Sequence, residues 1–307
     1  MTHEDGRSSR RPWLFVGTIP DADFPLSEGP FSCREDSIHI GALSCPVNRG
    51  TPAMLGAAAV THAHLQGAAG GLRVLAAGDT GAGEGSRLVY RTLIDILPDL
   101  MPLGITFHYL MPDVDWHNRI LMAVDALASR PVLAADAGFM YAAKMSGYAA
   151  RYDLFTPDIG ELAFLADDRA PHPFYTRNFL LADESRAGEL IGRAYGHDNA
   201  ARHMLVKGVV DRYVRDGRIL ETVSTPDVPM LEPIGGTGDT LTGIASALLA
   251  SGTGMQTACA AAFRSNRRMG ELAQPTPATS IAGLLRVLPE ALEFCLKDRI
   301  ASGGQRG

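Results

Sequence analysis

From residue 72 onward, short apolar runs alternate with stretches of helical apolar spacing, and that rhythm leaves few folds open. Runs at 72–76, 105–110, 131–135, 154–155 and 204–206 read as buried strands. Between them, 87–97, 118–129, 141–150, 160–165 and 182–194 carry helical patterns; in 118–129 the apolar positions are Ile120, Leu121, Ala123, Val124 and Leu127. Strands alternating with helices predict an α/β fold with a mostly parallel sheet covered on both faces. Residues 13–16 add a first strand. The next thirty residues mix Pro, Gly, Ser and acidic side chains and read as irregular. The alanine-rich segment 53–67 predicts a closely packed helix, and Pro52 suits its first turn. Asp216-Gly217, between apolar runs at 213–214 and 219–223, signals a hairpin and so an antiparallel addition at one sheet edge. Helices at 240–250, 255–272 and 281–296 complete a single domain over 13–300, with polar tails 1–12 and 301–307 expected to be disordered.

Composition narrows the function classes. The 307 residues are 46% hydrophobic, ample for one sizeable core. A net charge of −6 argues against a nucleic-acid partner, which calls for a basic face. It does not argue against a nucleotide, for which backbone amides and one or two cations suffice. Cys33, Cys45, Cys259 and Cys295 show neither metal-site nor redox spacing, so a reduced, cytoplasmic setting is expected. No stretch reaches the ~20 apolar residues of a membrane span, and no membrane partner is expected.

The sharpest local signal is Gly235-Gly236-Thr237-Gly238-Asp239. Three glycines in four positions free the backbone, and a helical pattern follows at once. The turn therefore sits at a helix N-terminus, where unpaired N–H groups and the helix dipole favour an anion. An acid such as Asp239 has two readings there. It is an N-cap, worth ~1 kcal/mol, or beside a phosphate it is a general base that takes a proton from an attacking hydroxyl.

Residues 235–252 resemble the C-terminal signature of the ribokinase-like superfamily, and within it the branch of ADP- or ATP-dependent NAD(P)H-hydrate dehydratase, which reads Gly-x-Gly-Asp-x-Leu-x-Gly. Other segments agree in order. Residues 132–137 resemble the strand ending Asp-Ala, 156–162 the Thr-Pro-His-x-Gly-Glu segment, 205–208 the strand ending Lys-Gly, and 51–70 the alanine-rich helix ending Gly-Ala-Gly. The sequence departs from that branch where Tyr109-Leu110-Met111-Pro112-Asp113 replaces a Gly-Pro-Gly-Leu-Gly segment, where Asp158 replaces the histidine, and where 44–50 replace a Gly-rich loop.

The resemblance implies a ribokinase-like three-layer sandwich using ATP or ADP with Mg²⁺. It implies Asp239 as the catalytic residue and Gly236, Thr237, Gly238, Lys207 and Gly208 as phosphate-binding residues. Asp158 and Asp136 would bind substrate, and Glu161 would meet Mg²⁺ through water. The implied activity is dehydration of NAD(P)H hydrate. A small-molecule kinase and an inactive nucleotide-binding protein are the alternatives. The expected partners are a small-molecule substrate and further copies of this chain.

Other polar residues read more plainly. Asp158 and Glu161 suit a charged first helical turn. His62 and His64 point apart on a helix, and all nine histidines read as solvent-facing or satisfied rather than metal-bound. The Gly78–Gly83 segment, written Gly78-Asp79-Thr80-Gly81-Ala82-Gly83, reads as a surface or substrate-side loop, and Arg264, Arg267 and Arg268 as an exposed helix face.

Overall fold

The computed structural model describes residues 11–66, 71–173 and 184–303. Counted along the chain, the strands are β1 (Trp13–Ile19), β2 (Ser27–Arg34), β3 (Ser37–Ile40), β4 (Leu43–Pro46), β5 (Leu72–Gly78), β6 (Gly104–His108), β7 (Val132–Ala135), β8 (Leu154–Phe155), β9 (His203–Val206), β10 (Asp211–Arg215) and β11 (Arg218–Val223). The helices are α1 (Thr51–Gln66), α2 (Glu84–Leu100), α3 (Val114–Asp125), α4 (Ala137–Met145), α5 (Ile159–Ala166), α6 (Ala187–Gly196), α7 (Thr237–Ala250), α8 (Met255–Ala273), α9 (Ile281–Leu285) and α10 (Leu288–Gly303). The last two replace the single helix expected over 281–296.

All strands join one sheet in the order β11-β10-β9-β8-β7-β6-β1-β5-β2-β3-β4. Its centre, β5 through β9, is parallel, and the strands at both flanks are antiparallel. The parallel strands are buried on both faces, which is why they read as unbroken apolar runs. In β1, Trp13 and Phe15 enter one core while Leu14 and Val16 enter the other. Helices α1, α7, α8, α9 and α10 cover the first face, and α2 through α6 the second. Among the described residues no helix is long and apolar enough to cross a membrane. Much of each expected tail, residues 1–10 and 304–307, lies outside the described residues, as does the 67–70 end of the 51–70 segment.

Two further expectations are corrected. The thirty residues after β1 are not irregular but form β2, β3 and β4. Their inward positions include Ser27 and Gly29, so burial alternates along β2 without an apolar alternation to reveal it. The β2–β3 turn places Glu35 (φ 51°) and Asp36 (φ 61°) in left-handed conformations without the Asn-Gly or Asp-Gly pair that marks such turns. Arg267, expected on an exposed face, is buried. Its Nε donates to Asp211 Oδ2 at 2.6 Å and its Nη2 to the carbonyls of Gly208 (2.9 Å) and Val209 (2.7 Å). One guanidinium from α8 thus fixes the loop between β9 and β10.

Helices α1 and α7 approach through Gly243, where a Cβ would stand 2.2 Å from the Met54 carbonyl oxygen and 3.1 Å from the Ala57 Cβ. Gly243→Ala gains ~1 kcal/mol of helix propensity. The clash is with backbone, which cannot swing away, and overpacking costs about 1–3 kcal/mol or more. The net expectation is a lower urea midpoint; a midpoint at or above wild type would contradict the close approach. Arg267→Met strands the buried Asp211 carboxylate, and its expected loss is about 3–5 kcal/mol in the same melts.

Candidate active site

The parallel strands end in a line of polar residues. His108 is the last residue of β6, Asp136 follows β7, Thr156 follows β8 and Lys207 follows β9. The C-terminal edge of such a sheet is where α/β folds place ligands. Helix α7 points its N-terminus at the same edge. Its N-cap is Gly236 at φ 111°, a left-handed conformation suited to glycine. A Cβ on Gly236 would lie 2.9 Å from Ile281 Cγ1 and 3.1 Å from both Arg49 Cα and the Asn48 carbonyl oxygen. The sequence therefore needs glycine there for space as well as conformation. The first-turn amides of α7, which have no partner within the helix, present donors to an anion.

Lys207 stands against this turn. Its Cδ and Nζ lie 3.4 and 3.7 Å from where a Gly238 Cβ would be. Its Nζ donates to both oxygens of Asp136 at 3.0 Å. Burial opposes the lysine charge, but Asp136, Glu161, Asp158 and Asp239 outweigh it and push its pKa up. Lys207 therefore stays charged beside the glycine turn.

Asp239 does not cap its own helix. It occupies the first turn of α7, and its Oδ2 accepts from the Gly50 N–H at 2.6 Å, across from the start of α1. Its Oδ1 lies 3.3 Å from His108 Nε2. Burial pushes the Asp239 carboxyl up; the His108 contact, Lys207 and the Gly50 amide more than offset this and hold it below the usual aspartate range. The result is a carboxylate that is mostly buried yet ionised, beside a lysine and a row of amide donors.

Asp136, expected at the substrate, is 1% exposed. Its Oδ1 caps α4 by accepting from the Ala137 N–H at 2.8 Å, and its Oδ2 accepts from the Thr242 hydroxyl at 2.7 Å. It reaches the site through Lys207 and His108. Asp158 is the exposed N-cap of α5 in a reciprocal capping box: Glu161 N–H donates to Asp158 Oδ1 at 2.7 Å, and Asp158 N–H to Glu161 Oε2 at 2.8 Å. Glu161 Oε1 also accepts from the Tyr141 hydroxyl at 3.1 Å. Burial and the neighbouring Asp158 raise the Glu161 pKa well above the carboxylate range. Each Glu161 oxygen thus has one lone pair committed within the protein and one left over. Gly208 donates its N–H to Asp211 Oδ1 at 3.1 Å, which shapes the loop after Lys207.

Three site residues escaped the sequence reading. His108, fully buried, stands between Asp239 and Asp136, with its Nε2 3.6 Å from Asp136 Oδ2. Arg49, exposed, lies beside the glycine turn with its Cδ 3.8 Å from where a Gly235 Cβ would stand. Thr51, fully buried at the start of α1, places its hydroxyl 3.1 Å from His108 Nδ1. The available signal for His108 was position, since it stands within the 105–110 run at a strand's C-terminal end. Ligand-type atoms of His108, Asp136 and Asp239 all fall within 4.8 Å of one another, a span that could hold a cation, although Lys207 already brings positive charge to Asp136. The Gly78–Gly83 loop borders the same edge: Asp79 accepts from the N–H groups of Gly81 (2.9 Å), Gly83 (3.0 Å) and Ser86 (3.0 Å).

Comparison with known proteins bears on the fold. No family model matches the chain. It is 37% identical over 227 residues to an uncharacterized protein of Methanocaldococcus jannaschii, covering 74% of this chain and 93% of that one. Among solved structures, the pyridoxal kinase from Staphylococcus aureus in complex with AMP-PCP and pyridoxal is similar at TM-score 0.55 and 13% identity, over 85% of this chain and 89% of that one. Phosphofructokinase-2 from Escherichia coli in complex with fructose-6-phosphate is similar at TM-score 0.52 and 11% identity, over 92% and 99%. A ribokinase-like superfamily protein from Enterococcus faecalis gives 0.54 and 14%, over 92% and 87%. At such identities the structural likeness is one of fold. The chain belongs to the same family as the Methanocaldococcus jannaschii protein, and its fold is ribokinase-like.

Proposed function

We propose that the protein is a small-molecule kinase that transfers the terminal phosphoryl group of ATP to a substrate hydroxyl. The observation that carries the reading is the buried Asp239 carboxylate in the first turn of the glycine-opened helix, tied to the Gly50 N–H, with Lys207 standing against the neighbouring Gly238. Phosphoryl transfer asks a protein mainly for positioning and charge stabilisation. Here the amides of residues 236–238 and Lys207 would hold the phosphate oxygens. Asp239 would take the proton as the substrate oxygen forms its bond to phosphorus, and ADP would leave with the bond it breaks. Mg²⁺, when bound, would neutralise phosphate charge; it prefers a few carboxylates, waters and phosphate oxygens, and Glu161 through water is the candidate contact. The similar structures support the reading, one holding AMP-PCP and pyridoxal and another fructose-6-phosphate.

Dehydration of NAD(P)H hydrate is a second reading, supported by the 235–252 signature. Hydroxide is a poor leaving group, so phosphorylating the ring hydroxyl first uses the same apparatus, and elimination of phosphate then restores the dihydropyridine. Product analysis separates the two: a stable phosphoester marks a kinase, and regenerated dihydronicotinamide absorbance marks the dehydratase. Nucleotide binding without turnover on pyridoxal, fructose-6-phosphate and NADPH hydrate would favour an inactive member.

Mg²⁺ with ATP should raise the melting temperature, because a ligand at a hundredfold excess over Kd adds ~2.7 kcal/mol to the native state. Lys207→Ala and Gly238→Val should each shrink that shift, the first by removing charge and the second by filling the space against Lys207. Asp239→Asn keeps an acceptor for the Gly50 N–H and removes the proton acceptor. Its expected turnover is ~10²–10⁴-fold lower with nucleotide binding retained; turnover within a few fold of wild type would end the base assignment. The pH dependence has a definite sign. A base whose pKa is depressed stays ionised as pH falls, so turnover should hold from neutrality down to the ordinary aspartate range and drop only below it. An acid limb centred near neutrality would assign the base to another group.

A further inference from the structure

His108 is the one site residue whose chemistry neither the phosphate contacts nor the base explains. Its side chain is fully buried, and the next residue, Tyr109, turns the chain away at φ 50°. Its ring has two polar edges. Nδ1 lies 3.1 Å from the Thr51 hydroxyl. Nε2 lies 3.3 Å from Asp239 Oδ1 and 3.6 Å from Asp136 Oδ2 and makes no linear hydrogen bond to either. A lone pair on Nε2 would face carboxylate oxygens in a dry site, which is repulsive. A proton on Nε2 faces two acceptors at once, and the Thr51 hydroxyl then donates to Nδ1. The second arrangement replaces a repulsion with an attraction to both carboxylates, although Nε2 reaches neither within hydrogen-bond geometry.

The geometry points to His108 as a positioning residue: one Nε2–H, shared between Asp239 and Asp136, couples the carboxylate that holds Lys207 to the carboxylate that serves as base. The coupling rests on the phosphoryl-transfer reading for its consequence. When phosphate draws Lys207 toward the glycine turn, Asp136 loses part of its cation. Asp136 then takes a larger share of the His108 proton, and Asp239 Oδ1 is left freer to accept from a substrate hydroxyl. Phosphate arrival thereby readies the base, and by linkage a group bound at the base tightens phosphate binding. Asp239 itself cannot drift, because its Oδ2 is tied to the Gly50 N–H at 2.6 Å, one residue before the Thr51 that orients His108. Among the described residues, titratable side chains near Asp239 include His108 at the end of β6, Tyr109 just after it, Asp136 after β7 and Lys207 after β9.

Two arms test this. In protein labelled with ¹⁵N-histidine, the His108 ring signals, identified by their loss in His108→Gln, should report the Nε2–H form and move when Mg²⁺ and ADP are added. In Lys207→Met the Nε2–H form should persist, with a smaller movement at saturating nucleotide. A ring carrying its proton on Nδ1, a signal indifferent to nucleotide, or a metal ion found bound to His108 in the purified protein would each overturn the proposal. This arm needs no turnover, so it decides the matter even if no acceptor is phosphorylated and the kinase reading fails. In the second arm, with an acceptor in hand, His108→Leu should lower kcat about 10- to 100-fold through a misplaced base while the nucleotide KM stays within about twofold, and its acid limb should move to higher pH because Asp239 loses a stabilising donor. His108→Gln, which restores an N–H at the same reach, should recover most of the rate; a kcat in His108→Leu equal to wild type, or a Gln variant no better than Leu, overturns the role.

Discussion

The ion pair between Lys207 and Asp136 sets the terms for the rest of the site. Both charges sit at the inner end of a parallel sheet, with Asp136 fully enclosed and the Lys207 side chain 14% exposed. Removing two charges from water costs more than their attraction returns unless the remaining lone pairs are filled. The surrounding sequence fills them. Thr242 from α7, the Ala137 amide at the start of α4 and Lys207 occupy the Asp136 oxygens, and Thr156 supports Thr242 at 3.0 Å. Each contact comes from a different element, so the pair holds β7, β8, β9, α4 and α7 in one register. What stabilises the edge of the fold is thus the same arrangement that keeps a lysine charged beside the glycine turn.

Much of this was legible along the chain. The parallel strands showed as apolar runs because both their faces are buried, and the glycine turn showed because glycine spacing and a following helix report backbone conformation directly. Asp239 stood out through its place at a helix start, whereas Asp136 and Lys207, at strand ends, were marked only by the family resemblance. Residues whose role depends on what comes near them from afar were not legible. Arg267 sits on a helix face that looks solvated in sequence, and only the fold brings Asp211 and the loop carbonyls of Gly208 and Val209 to it. His108 was hidden by an overlong strand: reading 105–110 as continuous buried the fact that the strand stops at His108, where a left-handed residue sets in. Strand β2 was hidden because Ser27 and Gly29 occupy inward positions where apolar residues would have drawn the alternation; β3 and β4 do alternate, with Ile38, Ile40 and Cys45 buried, but over only four residues each.

The charge balance at the site has a direction. Asp136 and Asp239 contribute two negative charges. Against them stand Lys207 and the N-terminal ends of α4 and α7, each helix end equivalent to roughly half a positive charge. That sum is near neutral, so the site at rest needs no counter-ion to be stable. A bound triphosphate would bring several more negative charges than these groups can offset. The additional positive charge has to come from a cation carried with the nucleotide and from side chains that reach the turn from outside. Arg49 answers the second requirement. It is exposed, lies against Gly235, and has no ion-pair partner among the described residues. An unpaired arginine beside the glycine turn, in a site whose own charges nearly cancel, would supply part of the positive charge that the proposed nucleotide calls for.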